Sequence, residues 1–172
     1  VGGGEGTGGG FGLERMENGG IILAVSWRGN AESKEVTVMA ISGDRGVTWS
    51  EMQRIPEATG RTMNLTTLGN GTLSFVTDVL GTGNVQRFFS HDYGRTWSGG
   101  REHPLTSDGM KFNLEGNAWV DRNEKGKAKT IFEIGWHYKP GQSHPRDDAW
   151  GVFRHSVDGG HTWKGEISPP QW

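Results

Sequence analysis

The chain has 172 residues, enough for one substantial core, and its formal charge of −2 makes no electrostatic case for nucleic acid or an anionic membrane as partner. It has no cysteine, which excludes disulfides, thiolate metal sites and a cysteine nucleophile. No apolar run approaches the ~20 residues of a membrane-spanning helix.

The first ten residues, VGGGEGTGGG, hold seven glycines. They lack the Gly-Lys-Ser/Thr ending of a phosphate-binding loop, so residues 1–10 are expected to be a flexible end or a loop cut from a preceding unit. Predicted strands then come in groups of four. The first group takes residues 11–16, a Glu17-Asn18-Gly19-Gly20 turn, residues 21–27, the alternating Val36, Val38 and Ala40, and a fourth strand from about 48 to 55. The second takes 62–68, a Gly69-Asn70-Gly71 turn, 72–80 and 85–89; the third takes 112–120, a turn over 121–127, 130–137 and 149–155. Each group reads as a four-stranded antiparallel meander, with units at about 11–56, 60–104 and 110–170.

Three octets punctuate these groups: SGDRGVTW at 42–49, SHDYGRTW at 90–97 and SVDGGHTW at 156–163. All obey Ser-x-Asp-x-Gly-x-Thr-Trp, which marks a structural repeat, and their aspartates Asp44, Asp92 and Asp158 lie 48 and 66 residues apart. Aspartate can accept backbone amides in such a turn, glycine supplies a positive φ, and Trp49, Trp97 and Trp163 can pack on the neighbouring sheet. Thr and Trp are expected to open the fourth strand.

The octets resemble the Asp-box, or bacterial neuraminidase repeat, of the sialidase superfamily. That resemblance implies a β-propeller in which the box joins the third and fourth strands of a blade. Three blades do not close a propeller, so the chain is expected to be half of a six-bladed one, completed by a missing half or by self-association. The resemblance further implies an exo-acting glycoside hydrolase, a glycan ligand, no cofactor, and a secreted or periplasmic location. A non-catalytic propeller recognising a glycan or a protein is the alternative.

In a meander, the first-to-second and third-to-fourth turns share one end. The octet aspartates are therefore structural, and the candidate site belongs at the other end. Arg28, Arg61, Asn113, His137, Tyr138 and Arg146 are the candidate substrate-binding groups, because guanidinium forks suit carboxylates and hydroxyls and rings stack on sugars. Asp78, Glu115 and Asp147 are the candidate catalytic carboxyls of a third possibility, a different hydrolase on the same fold; their separation would decide between retaining and inverting chemistry. Of the superfamily's carboxylate-binding arginines, only Arg28 has a match here; its first arginine falls on Gly9 or Gly10, and its aspartate acid has no counterpart. The spacing of His137, His144, Asp147 and Asp148 matches no metal motif, so no metal is expected.

Overall fold

Strands whose apolar residues fall in both phases of the pleat need cover on both faces, and this sequence contains several. The computed structural model describes residues 7–29, 33–79, 84–114, 116–138 and 150–168, and among them every regular element is an antiparallel strand. The first sheet runs β1 (Thr7–Arg15), β2 (Ile21–Arg28), β3 (Val36–Ser42), β4 (Gln53–Thr59), each hydrogen-bonded to the next. A single residue, Gly60, leads into the second sheet, β5 (Arg61–Gly69), β6 (Thr72–Val79), β7 (Asn84–Ser90) and the short β8 (Arg101–Glu102).

The third sheet has five strands: β9 (Lys111–Leu114), β10 (Trp119–Arg122), β11 (Ala128–Tyr138), β12 (Trp150–Ser156) and β13 (Lys164–Ile167). β9 and β10 share one edge of β11: β9 pairs with Gly135 to Tyr138 and β10 with Ala128 to Phe132. The single strand expected over residues 112–120 is thus divided into β9 and β10, and Gly116 between them takes a φ of +78°.

Two further boundaries differ from the sequence reading. β1 opens at Thr7, inside the glycine-rich stretch, because Thr7 and Gly8 already pair with Arg28 and Trp27. The fourth strand of the first sheet starts at Gln53 rather than near Thr48 and continues to Thr59, because Thr48 and Trp49 are tied back into the octet turn.

The middle sheet buries both faces. Leu65, Leu73, Phe75 and Phe88 pack against Ile22, Ala24 and Met39 of the first sheet, with Phe75 and Phe88 stacked at 4.7 Å. On the other face Val76 and Val85 meet Phe112, Leu114 and Val152 of the third sheet, and Leu68 and Phe89 meet Ile131. Each such side chain is worth about 1.5–3 kcal/mol when withdrawn from water. Polar groups are paired across the same seams: the Thr62 amide donates to Ser26 Oγ at 2.6 Å, and Thr37 and Thr62 hydroxyls meet at 3.0 Å. The first and third sheets each pack one face on the middle sheet and leave an apolar face uncovered, carrying Phe11, Leu13 and Trp27 on one and Trp119, Ile134 and Ile167 on the other.

Candidate functional site

The octets form one end of the molecule. In the first, Ser42 Oγ donates to Asp44 Oδ1 (2.8 Å) and accepts the Gly46 amide (2.7 Å), while Thr48 donates its amide (2.8 Å) and hydroxyl (2.6 Å) to the two Asp44 oxygens. The pattern recurs at Ser90–Asp92–Thr96 and at Ser156–Asp158–Thr162. Gly46, Gly94 and Gly160 hold φ of +91°, +81° and +92°, a region where a Cβ is strained. The indoles of Trp49 and Trp97 donate to the carbonyls of Gly46 and Gly94, both at 3.1 Å. Trp163 differs: its Nε1 is buried without a protein partner, and its ring lies beneath two guanidiniums.

These bonds lower the aspartate carboxyls. The Thr48 hydroxyl and amide, with Ser42, hold Asp44 at about 2 against an ordinary 3.8. At Asp158 burial pulls upward, but Thr162 and Ser156 outweigh it and the carboxyl also sits at about 2; Asp92 is lowered by the same balance. A depressed folded-state carboxyl stabilises above its unfolded value and stops doing so as pH falls through its folded value. Urea midpoints are therefore expected to fall between about pH 4 and about pH 2, and replacing Asp92 and Asp158 by Asn should flatten that part of the profile. An unchanged slope would remove the octets from the acid response.

Among the described residues, the opposite end is built from the ends of β2 and β6, the starts of β3 and β7, the Gly60 link and the start of β9. Asp78, near the end of β6, is 2% exposed and pairs in register with Arg61 at the start of β5. Burial pushes its carboxyl up, while the nearby charges of Lys111 and Arg61 pull it down; the net shift is upward. Asp78 Oδ1 is buried without a protein partner. Asn64 shares its face of the sheet, because it pairs with Val76, two residues before Asp78. Both amide atoms of Asn64 are likewise buried and unpartnered, and Thr66 Oγ1, two residues on, is a third such site. Buried polar atoms of this kind call for water or ligand partners.

The other predicted site residues divide. Arg28 is at this end, in a 3.7 Å ion pair with Glu35. Asn113 lies in β9 with Oδ1 buried and unpartnered, on the face opposite Phe112 and Leu114. The backbone register sets His137 and Tyr138 beside Phe112 and Lys111. Glu115, His144, Arg146, Asp147 and Asp148 lie outside the described residues. The structure thus brings together Arg61, Asp78 and Lys111, and among the described residues no group of three His, Asp or Glu could hold a metal.

A second polar cluster escaped sequence reasoning. Glu133 of β11 is 1% exposed, accepts a hydrogen bond from Arg87 Nη2, and faces Arg154 Nη2 at 3.7 Å. Arg87 also donates to Ser74 Oγ (2.8 Å) and Arg154 to the Pro104 carbonyl (3.0 Å). The Arg154 guanidinium lies 3.8 Å over the Phe112 ring, and burial lowers it to about 10, still charged at neutral pH. Burial, with help from the two arginines, drives His103 well below its ordinary 6.5. The ring is therefore neutral, its Nε2 accepts from Arg154 Nη2, and its 3.6 Å approach to Glu133 is not an ion pair. Each of these residues has a structural partner on the middle or third sheet. The signal that could have found them is phase: Glu133 follows Ile131, and Arg154 follows Val152, at the two-residue spacing of core positions.

Three antiparallel sheets stacked face to face, with repeated turns at one end and a charged cluster at the other, define a propeller-type architecture. The solved structures it resembles are of that kind. An α-L-arabinanase of Penicillium chrysogenum, solved with arabinobiose, matches at TM-score 0.61 and 16% identity over 92% of this chain and 48% of its own. The GH93 α-L-arabinofuranosidase of Fusarium graminearum, also with arabinobiose, matches at TM-score 0.61 and 13% identity over 92% and 47%. A Hadza microbial sialidase matches at TM-score 0.57 and 21% identity over 91% and 29%. The chain has the sialidase-like β-propeller fold and spans about half the length of the arabinanase and arabinofuranosidase structures it matches. No family model matches the sequence, and no curated protein does.

Proposed function

We propose that this chain is a glycan-binding segment of an exo-acting glycoside hydrolase, its three sheets forming three blades, half of a six-bladed Asp-box propeller. The observation that carries the reading is Asp78, a buried carboxyl raised by desolvation between two cations at the end opposite the octets. A raised carboxyl stays protonated at higher pH than an ordinary one, which suits a general acid that protonates a leaving glycosidic oxygen. Arg61 and Lys111 would orient a sugar hydroxyl or carboxylate beside it, and Asn64 offers both an acceptor and a donor. Hydrolysis needs a second carboxyl, for which Glu115 and Asp147 are the candidates; in this reading the active site is incomplete in the 172 residues. Arabinobiose, bound by two of the similar structures, and a sialoside are the first ligands to test.

The alternative, a propeller that recognises a glycan or protein without turnover, draws support from Arg28, whose guanidinium is engaged by Glu35. Calorimetric titration with arabinobiose and with 3′-sialyllactose, beside turnover assays on the matching chromogenic glycosides, separates the two. Binding by this chain together with turnover by the complete propeller supports the hydrolase, and binding without turnover even by the complete propeller supports the recognition module. Asp78→Asn is expected to weaken binding at least about 10-fold, since the carboxyl that the charges of Arg61 and Lys111 act on is lost from the site. Unchanged affinity in the variant would move the site elsewhere.

A further inference from the structure

β1, β5 and β10 each stand at the end of their sheet's strand order, so each presents a row of backbone N–H and C=O groups outside its own ladder. The three edges converge. Gly12 of β1 lies so close to β5 that a Cβ there would meet Leu65 Cβ at 2.5 Å, and Arg122 of β10 donates to the Thr67 carbonyl at 2.7 Å and to its hydroxyl at 2.9 Å. Between them lies a hollow of about 250 Å³ walled by Glu14, Thr66, Thr67, Arg122 and residues 118–120. Thr66 is five residues along β5 from Arg61, which at about 3.3 Å per residue sets the hollow roughly 17 Å from the Asp78 end, toward the octets.

The polar groups of this hollow have capacity to spare. Thr66 is 3% exposed and its Oγ1 has no protein partner, which leaves a buried hydroxyl with a proton and two lone pairs for whatever enters. Glu14 accepts from Asn117 Nδ2 at 3.3 Å and from the Thr67 hydroxyl, filling two of the about four acceptor positions of a carboxylate. Burial pushes the Glu14 carboxyl up although the Arg122 charge pulls it down, as expected of a carboxyl short of water. Charge then selects the ligand class. Glu14 repels an anion, and Arg122 beside it repels a cation, so a neutral molecule offering several hydroxyls suits the pair. We propose that this hollow is a second glycan site, holding one neutral sugar ring with its hydroxyls on Glu14 and Thr66. Its volume lies just under the lower bound of about 300 Å³ for small-molecule pockets, which matches a single ring rather than a longer chain. The site uses groups of β1, β5 and β10 with Asn117, and it does not depend on the Asp78 reading.

Calorimetric titration and saturation-transfer NMR with L-arabinose, D-galactose and D-glucose test it, run in the Asp78→Asn variant so that the opposite end contributes least. At least one of the three sugars should bind. Adding Glu14→Gln should weaken that binding at least about 10-fold, as loss of a hydrogen bond to a charged group does, and adding Thr66→Val should weaken it about 5-fold. Thr66→Val keeps the shape of the side chain and removes a hydroxyl that has no protein partner, so its urea midpoint should stay at or above the parent's. N-acetylneuraminic acid, whose carboxylate would face Glu14, should bind at least about 10-fold more weakly than the best neutral sugar. No neutral sugar bound, binding that Glu14→Gln and Thr66→Val leave unchanged, a Thr66→Val midpoint below the parent's, or equal affinity for the acid would overturn the site. The two proposals fail separately. Sugar binding by the parent that Asp78→Asn abolishes and Glu14→Gln spares sinks this site alone, and the reverse pattern sinks the Asp78 site alone.

Discussion

Glu133→Gln is expected to destabilise the fold by about 3–5 kcal/mol, among the largest effects of any single substitution in this chain. The Glu133 carboxylate lies between Arg87 and Arg154 in a seam from which water is excluded, and His103 beside it is neutral. Removing its charge leaves two buried guanidiniums hydrogen-bonded to the neutral partners Ser74, Pro104 and His103, with Glu166 the carboxylate that still acts on Arg154. The rings of Phe112 and Trp163 soften the loss through their faces, which cation–π contact values at about 0.5–2 kcal/mol, too little to replace a carboxylate. Urea titration followed by tryptophan fluorescence measures the change. Adding Arg87→Met to Glu133→Gln should recover part of the loss, because a buried ion pair replaced as a unit is close to neutral while half of one is not. A Glu133→Gln variant within about 1 kcal/mol of the parent would mean that water reaches this seam.

Gly69→Ala carries the next largest expected effect, about 2–4 kcal/mol, from backbone strain and overpacking together. Gly69 ends β5 with a φ of +89°, and a Cβ there would run into the Gly126 carbonyl and come within 2.8 Å of Lys127 Cα. Those atoms are backbone of the β10–β11 turn, so relief requires the middle and third sheets to part. Arg122 works against that movement, donating to the Thr67 carbonyl at 2.7 Å and the Gly126 carbonyl at 2.9 Å. Gly126 is the matching control: its φ is +74°, but a Cβ would meet nothing within 4 Å, so Gly126→Ala should cost only the strain of about 1–2 kcal/mol. Equal losses at the two positions would show that the contact between sheets contributes nothing.

Much of the architecture was legible because its signals are local. The octets recur with their spacing intact, and Asp, Gly and Thr in that order can close only a few kinds of turn. Strand phase was legible too: Ile22, Ala24 and Ser26 alternate with Leu23, Val25 and Trp27, two apolar phases that ask for cover on both faces. What stayed hidden depends on contacts distant in sequence. Arg87 and Glu133 are 46 residues apart and His103 and Arg154 are 51 apart, so no window of sequence contains the cluster. His103 in particular reads as a strand-edge residue, yet it is 4% exposed, because Arg154 reaches across to it from β12. The break between β9 and β10 had a weaker signal, Gly116, whose positive φ lets the chain leave one half of the β11 edge and rejoin it further along.

At the candidate site, connectivity alone was enough to send Arg28, Arg61, Asp78 and Asn113 to the end away from the octets. It did not reveal that Lys111 stands near Asp78, because that proximity depends on how the second and third sheets stack. Nor did it reveal that Glu35 engages Arg28, an ion pair between two side chains seven positions apart.

The most direct measurement is hydrogen–deuterium exchange of the 172-residue protein with and without a saturating glycan, using arabinobiose and 3′-sialyllactose in turn. If glycan is held beside Asp78, protection should rise at the start of β5, the end of β6 and the start of β9, around Arg61, Asp78 and Lys111, while the octet turns at Asp44, Asp92 and Asp158 stay unchanged. Protection confined to the octet turns, or no change with either sugar, would contradict a glycan site at this end of the propeller.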